Sequence, residues 1–111
     1  MLKIPASLRQ KKRYVYFKIY SQNKIPYENL RNAIWNIFLD YLGELGTAKA
    51  NIRIVRNLWD PNEQKGIIRC SHRHVDEVKI CLGLLHQIGD EKTVFQTLRV
   101  SGTIRGAMST K

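Results

Sequence analysis

The chain has 111 residues, room for one domain with a modest core rather than two folding units. Hydrophobic residues make up 43% of it against 25% charged, enough apolar surface to exclude a wholly disordered protein. Lys and Arg number 19 and Asp and Glu 9, a net charge of +10 that exceeds what solubility requires and points to an anionic partner.

Residues 1–13 carry Lys3, Arg9, Lys11, Lys12 and Arg13 with no acid, and Pro5 and Ser7 discourage regular structure, so a basic arm is expected there. In Tyr14–Tyr20, Val15, Phe17 and Ile19 alternate with Tyr14, Tyr16, Lys18 and Tyr20, which predicts a strand with its odd-numbered face in the core. Pro26 suits the first turn of a helix, and Glu28 complements its positive end. The helix is expected to run to about Leu45, with Leu30, Ile34, Ile37, Phe38, Tyr41 and Leu45 as its core stripe and Gly46 as its left-handed terminus.

A second strand is expected over Ala50–Asn57 with Ile52 and Ile54 inward, followed by a turn at Asp60-Pro61-Asn62 and a third strand over Gly66–Ser71. Asp76 and Glu77 open a second helix over Val75–Ile88, striped by Val78, Cys81, Leu82 and Leu85 and ended by Gly89. The last strand is Phe95–Ser101, with Leu98 and Val100 inward and Phe95, Thr97 and Arg99 outward. Beyond Gly102 the chain reads as an unpatterned basic tail. This order is β-α-β-β-α-β, an α+β ferredoxin-like two-layer sandwich in which two helices cover one face of a four-stranded antiparallel sheet. The expected organisation is an arm over 1–13, a ferredoxin-like RNA- or protein-binding domain over 14–101 and a tail over 102–111.

No apolar run approaches the ~20 residues that span a bilayer, and no secretory signal is seen, so a cytoplasmic location is expected. Cys70 and Cys81 lack CxxC spacing and read as buried free thiols. Cys70, His72 and His74 match no common zinc pattern, whereas Arg73 between the two histidines stands where a phosphate could meet a helix N-terminus. No catalytic pairing, glycine-rich phosphate loop or HExxH is present, so no catalytic residue and no protein-bound cofactor or metal is expected.

The charge is segregated. Residues 26–45 sum to −2 and residues 75–91 to −3, which leaves +15 on strands, turns and termini. The sheet face away from the helices is expected to show Tyr14, Tyr16, Lys18 and Tyr20 beside Arg53, Arg69, Phe95 and Arg99. Such a face mixes rings for base stacking with cations for phosphates, although the same rings could equally pack under a partner protein or an arm. Lys65-Gly66 opens like an RNA-recognition motif, but Ile67, Ile68 and Cys70 stand where its aromatic residues belong. The first helix also carries Trp35, Leu39 and Leu42 on a second side, either a wide core stripe or a protein interface.

Three stretches carry a family resemblance: Leu8-Arg9-Gln10-Lys11-Lys12-Arg13-Tyr14-Val15, Gly66-Ile67-Ile68-Arg69-Cys70, and above all Thr97 through Ala107 with its Ser101-Gly102-Thr103-Ile104-Arg105 element. In these the chain resembles archaeal ribonuclease P protein component 2, the Pop-five family, over nearly its whole length. The resemblance implies a noncatalytic subunit of an RNA-based endonuclease that removes the 5′ leader of precursor tRNA. The isolated chain would then be inactive, because the RNA carries catalysis and uses Mg2+ for it. It further implies ribonuclease P RNA and protein component 3 as partners, precursor tRNA within the complex, and a two-plus-two assembly that could include a homodimer contact. Charge and face place RNA binding on Lys3, Arg9, Lys11, Lys12, Arg13, Tyr14, Tyr16, Lys18, Arg53, Arg69, Arg73, Arg99 and Arg105, and a protein interface on Trp35, Leu39 and Leu42. The alternative is a ferredoxin-like interaction adaptor that does not touch RNA directly.

Overall fold

The computed structural model describes residues 11–109. Strand β1 (Lys12–Tyr20) is the hub, because its alternation offers one apolar face and both of its edges are used. It pairs antiparallel with β3 (Lys65–Ser71) on one side and with β6 (Val94–Ser101) on the other, and β2 (Arg53–Ile54) extends the far edge of β3. The resulting order, β2-β3-β1-β6, is the ferredoxin-like arrangement. Helices α1 (Tyr27–Ala50) and α2 (Val75–Leu84) cover one face. Between the layers lie Val15, Phe17 and Ile19 of β1, Ile68 and Cys70 of β3, Leu30, Ile34 and Phe38 of α1, and Val78, Cys81 and Leu82 of α2.

Two local features position the sheet. A Cβ on Gly66 would stand 2.9 Å from Phe17 Cζ and 3.0 Å from Trp59 Cε3, so only glycine lets β3 run under that ring pair. The buried Gln64, with φ 53°, accepts from the Ile25 N–H at 2.9 Å and donates to Ser21 Oγ at 2.9 Å, tying the β1–α1 connection to the start of β3. The turn at Asp60 forms as its residues predict, with Asp60 Oδ1 accepting from the Asn62 and Glu63 N–H groups.

Several expectations are corrected. Helix α1 runs to Ala50 and ends at the left-handed Asn51, not at Gly46. Its non-helical residue is Gly43 (φ 72°, ψ 175°), which resets the phase of the stripe. The buried row steps Leu30, Ile34, Phe38 and then, past the reset, Thr47 and Ala50, which leaves Leu45 70% exposed; Tyr41, ahead of Gly43, is 60% exposed as well. Strand β2 keeps only Arg53 and Ile54 of the expected Ala50–Asn57, because the chain turns into a single 3-10 turn at Arg56–Leu58. Helix α2 stops at Leu84, four residues early. Gln87–Ile88 (β4) and Glu91–Lys92 (β5) form a small hairpin instead, and Gly89 (φ 60°) serves its turn rather than a helix end.

The largest correction concerns β6. The register shifts so that Tyr16 faces Arg99 while Phe17 faces Thr97, making Leu98 the extra residue of a bulge. One extra residue reverses every side chain before it. Phe95 therefore turns inward and stacks on Phe17 at 5.7 Å, and Leu98 turns to the opposite face with Tyr16 and Ile67. That opposite face is not fully open. The expected unpatterned tail includes helix α3 (Ile104–Met108), whose Thr103 cap accepts from the Gly106 N–H at 3.0 Å. Ala107, fully buried, seats α3 over Tyr16 and Ile67 in a second small core.

Candidate nucleic-acid interface

Cross-strand register builds the candidate site. Tyr14 of β1 faces Arg69 of β3, and Arg69 faces Arg53 of β2, so the three form one row on the sheet face away from α1 and α2. The row floors a cleft of about 550 Å³ whose rim comes from Arg56 and Asn57 of the 3-10 turn and from Ile104 of α3. Arg56 leans over the Tyr27 ring, 5.2 Å from its centroid. No carboxylate lines this cleft among the described residues. A second cleft, of about 520 Å³ between α1 and the β4–β5 hairpin, is lined instead by Asn29, Asn32, Asn36 and Asp40 and has no cation for a phosphate among the described residues.

The remaining positions scatter around this row. Lys11 and Lys12 are exposed at the start of β1, and Arg13 is half-buried and donates to the Lys12 carbonyl oxygen at 2.9 Å. Tyr16 retains 8% of its surface beneath α3, so little of its ring is presented for stacking. Lys18 pairs with Glu63 at 3.6 Å and lies over the Tyr20 ring. Arg99 is exposed and reaches the Ser109 carbonyl oxygen at 2.6 Å, bracing the end of α3. Arg105 is exposed on α3, and Arg73 is exposed where a short 3-10 turn, His72–His74, leads into α2. Lys3 and Arg9 lie outside the described residues, as does most of the expected basic arm.

The structure thus joins Tyr14, Arg53 and Arg69 and adds Arg56, Asn57 and Ile104, which sequence reasoning missed. Read as a continuous strand, residues 50–57 put Arg56 on the same side as the inward Ile52 and Ile54; the 3-10 turn releases it from that parity. The capping pattern Thr103-Ile104-Arg105-Gly106 was the available signal for α3 and hence for Ile104.

On α1, Trp35 and Leu42 are half-buried against the core and Leu39 is 42% exposed. Tyr41 and Leu45, farther along the helix, are exposed as well, so more apolar side chains of α1 meet solvent than the three named from sequence. The two thiols are buried and unpaired with each other. Burial pushes the Cys70 thiol from 9.0 up to about 11, and burial together with the Glu77 carboxylate raises Cys81.

Comparison with known proteins places these features in context. The profile of the Rpp14/Pop5 family matches residues 13–110. Ribonuclease P protein component 2 of Pyrococcus furiosus is 44% identical over 102 residues, covering 92% of this chain and 83% of the relative. The protein of the same description from Methanocaldococcus jannaschii is 39% identical over 108 residues, covering 96% and 78%. A chain in the cryo-EM structure of yeast ribonuclease MRP superposes with a TM-score of 0.63 at 14% identity over 87% of this chain and 78% of that one, a likeness of fold.

Proposed function

The chain belongs to the Rpp14/Pop5 family, and from that membership we propose that it is a noncatalytic protein subunit of ribonuclease P, binding and supporting the RNA that cleaves the 5′ leader from precursor tRNA. The observation that supports the reading is the three-arginine cleft, with no carboxylate among its described lining residues, on a chain whose surplus positive charge lies outside residues 26–45 and 75–91. A surface of that kind gains affinity by displacing counterions from a phosphate backbone, so binding weakens steeply as salt rises. Hydrolysis is assigned to the RNA, for which Mg2+ would supply the activation of water. The chain's own residues then contribute binding and placement of the RNA.

The exposed apolar side chains of α1, Leu39, Tyr41 and Leu45, are assigned to protein contacts. Ribonuclease P protein component 3 is the proposed partner, within a two-plus-two assembly, and precursor tRNA is met only in the complex. The deciding experiment measures precursor-tRNA cleavage by the ribonuclease P RNA and its other protein subunits at moderate Mg2+, with and without this chain, across a salt series. A gain in cleavage that fades with salt supports the reading. Unchanged cleavage by a chain that still binds another protein would replace it with the adaptor role, and cleavage by the pure chain would contradict it outright. In the same system Leu45→Lys, at a position 70% exposed, is expected to weaken association with component 3 while leaving RNA affinity intact.

A further inference from the structure

Arg53 and Arg69 are direct cross-strand partners. Like charges so placed repel, and sheets ordinarily avoid the arrangement. Neither has a carboxylate within ion-pair distance among the described residues, and the Arg69 Nε–H is buried there without a hydrogen-bond partner. The buried Nε–H is closed to a ligand in the cleft, but one anion between the two guanidinium groups would relieve the repulsion.

The rest of the cleft is not built for phosphate alone. The Tyr14 ring and the Ile104 side chain supply apolar wall, and Asn57 at the rim carries both a donor and an acceptor. Its volume of about 550 Å³ lies within the range of small-ligand sites, ample for one nucleotide. Duplex RNA keeps its bases stacked inside and would offer this cleft only phosphates, leaving the apolar wall wet. An unpaired nucleotide can fill both parts.

We infer that this cleft takes a single unpaired nucleotide of an RNA strand. Its phosphate lies between Arg53 and Arg69, its base lies against Tyr14 and Ile104, and Asn57 meets the base edge. The inference rests on the RNA-binding reading above and adds to it the strand state and the place of contact.

The test uses the full chain and fluorescence anisotropy with a short labelled oligouridylate. Competitors are a blunt duplex of matched phosphate count and an abasic ribose-phosphate strand of equal length. Both are expected to bind about tenfold more weakly than the single strand, the scale of one lost base–aromatic stack. Arg53→Lys and Arg69→Lys keep the charge but lose the planar fork, and each is expected to weaken the single strand several-fold. Ile104→Ser, at an exposed position, is expected to do the same with the fold retained by circular dichroism. Lys79→Gln, on the helical layer, serves as the charge control.

Equal competition by the duplex, parent-like binding by the lysine variants, or a loss in Lys79→Gln as large as theirs would each overturn the inference. If the lysine variants bind as the parent does while this chain still stimulates precursor-tRNA cleavage in a salt-dependent way, the nucleotide cleft fails and the subunit role stands. If the parent neither binds RNA at low salt nor stimulates cleavage, both fall together.

Discussion

Gly66→Ala puts the packing of the sheet to the test. The new Cβ would meet Phe17 Cζ at 2.9 Å, closer than real Cβ atoms come, and Trp59 Cε3 at a tight 3.0 Å, so the Phe17 ring must move. Phe17 has nowhere to go: it is fully buried and stacked between Trp59 at 6.3 Å and Phe95 at 5.7 Å. Forcing a methyl into so filled a site costs about 1–3 kcal/mol, partly offset by the ~0.4–1 kcal/mol gained when alanine restricts the unfolded chain. The expected net is a loss of about 1–2 kcal/mol, equivalent to roughly 4–8 °C in Tm for each kcal/mol in a domain of this size. Urea unfolding followed by tryptophan fluorescence measures it. Gly83→Ala is the matched control, because nothing among the described residues lies within 4 Å of its Cβ and it sits in α2, where alanine favours the helix by about 0.8–1 kcal/mol. The two variants should shift the urea midpoint in opposite directions. A Gly66→Ala chain as stable as the parent would show that the ring stack yields, and a stabilising shift in both would mean that backbone preference rather than packing decides.

Thr103→Ala removes the hydroxyl that accepts from the Gly106 N–H at 3.0 Å and should cost about 1 kcal/mol, with faster hydrogen exchange confined to α3 and its neighbours; Thr103→Ser should restore protection. Gln64→Ala strips the buried Ile25 N–H of its acceptor at 2.9 Å, and a loss of about 1–3 kcal/mol is expected in the same unfolding assay. Because thiolates are the reactive form, Cys70 and Cys81 should resist alkylation near pH 8 in the folded chain and react quickly once it is unfolded in urea. The folded state holds the Cys70 proton to about pH 11 while the unfolded chain releases it near 9.0, so its contribution to stability is complete below pH 9 and is lost as pH rises toward 11. Over that window the urea midpoint of Cys70→Ala should fall less than the parent's, and an identical slope would refute the assignment.

The parts legible from sequence were those in which local pattern and tertiary role coincide. Val15, Phe17 and Ile19 alternate because one face of β1 is buried whichever neighbours it takes, and Leu30, Ile34 and Phe38 recur at helical spacing because α1 must lie on that face. Such periodicities establish the element order, and with it the ferredoxin-like sandwich and the side on which the charge must appear. The site was legible only in part. Tyr14, Arg53 and Arg69 were named from parity, but the pairing that sets them in one row depends on register between strands distant in sequence.

What failed did so where a single backbone residue changes the phase of everything beyond it. The bulge at Leu98 reversed the faces of β6 up to and including that residue while Arg99 and Val100 kept theirs, and Gly43 turned Leu45 to solvent. The 3-10 turn at Arg56–Leu58 carried Arg56 to the cleft, and α3 folded back over Tyr16. Residue type leaves these choices nearly balanced locally, and long-range packing tips them. Sequence by itself determined which elements exist, which of their faces are apolar and that the surplus charge avoids the helices. Only the tertiary structure decided which cations share a cleft, because that depends on register, bulges and a terminal helix whose preference is realised only once Ala107 has a core to enter.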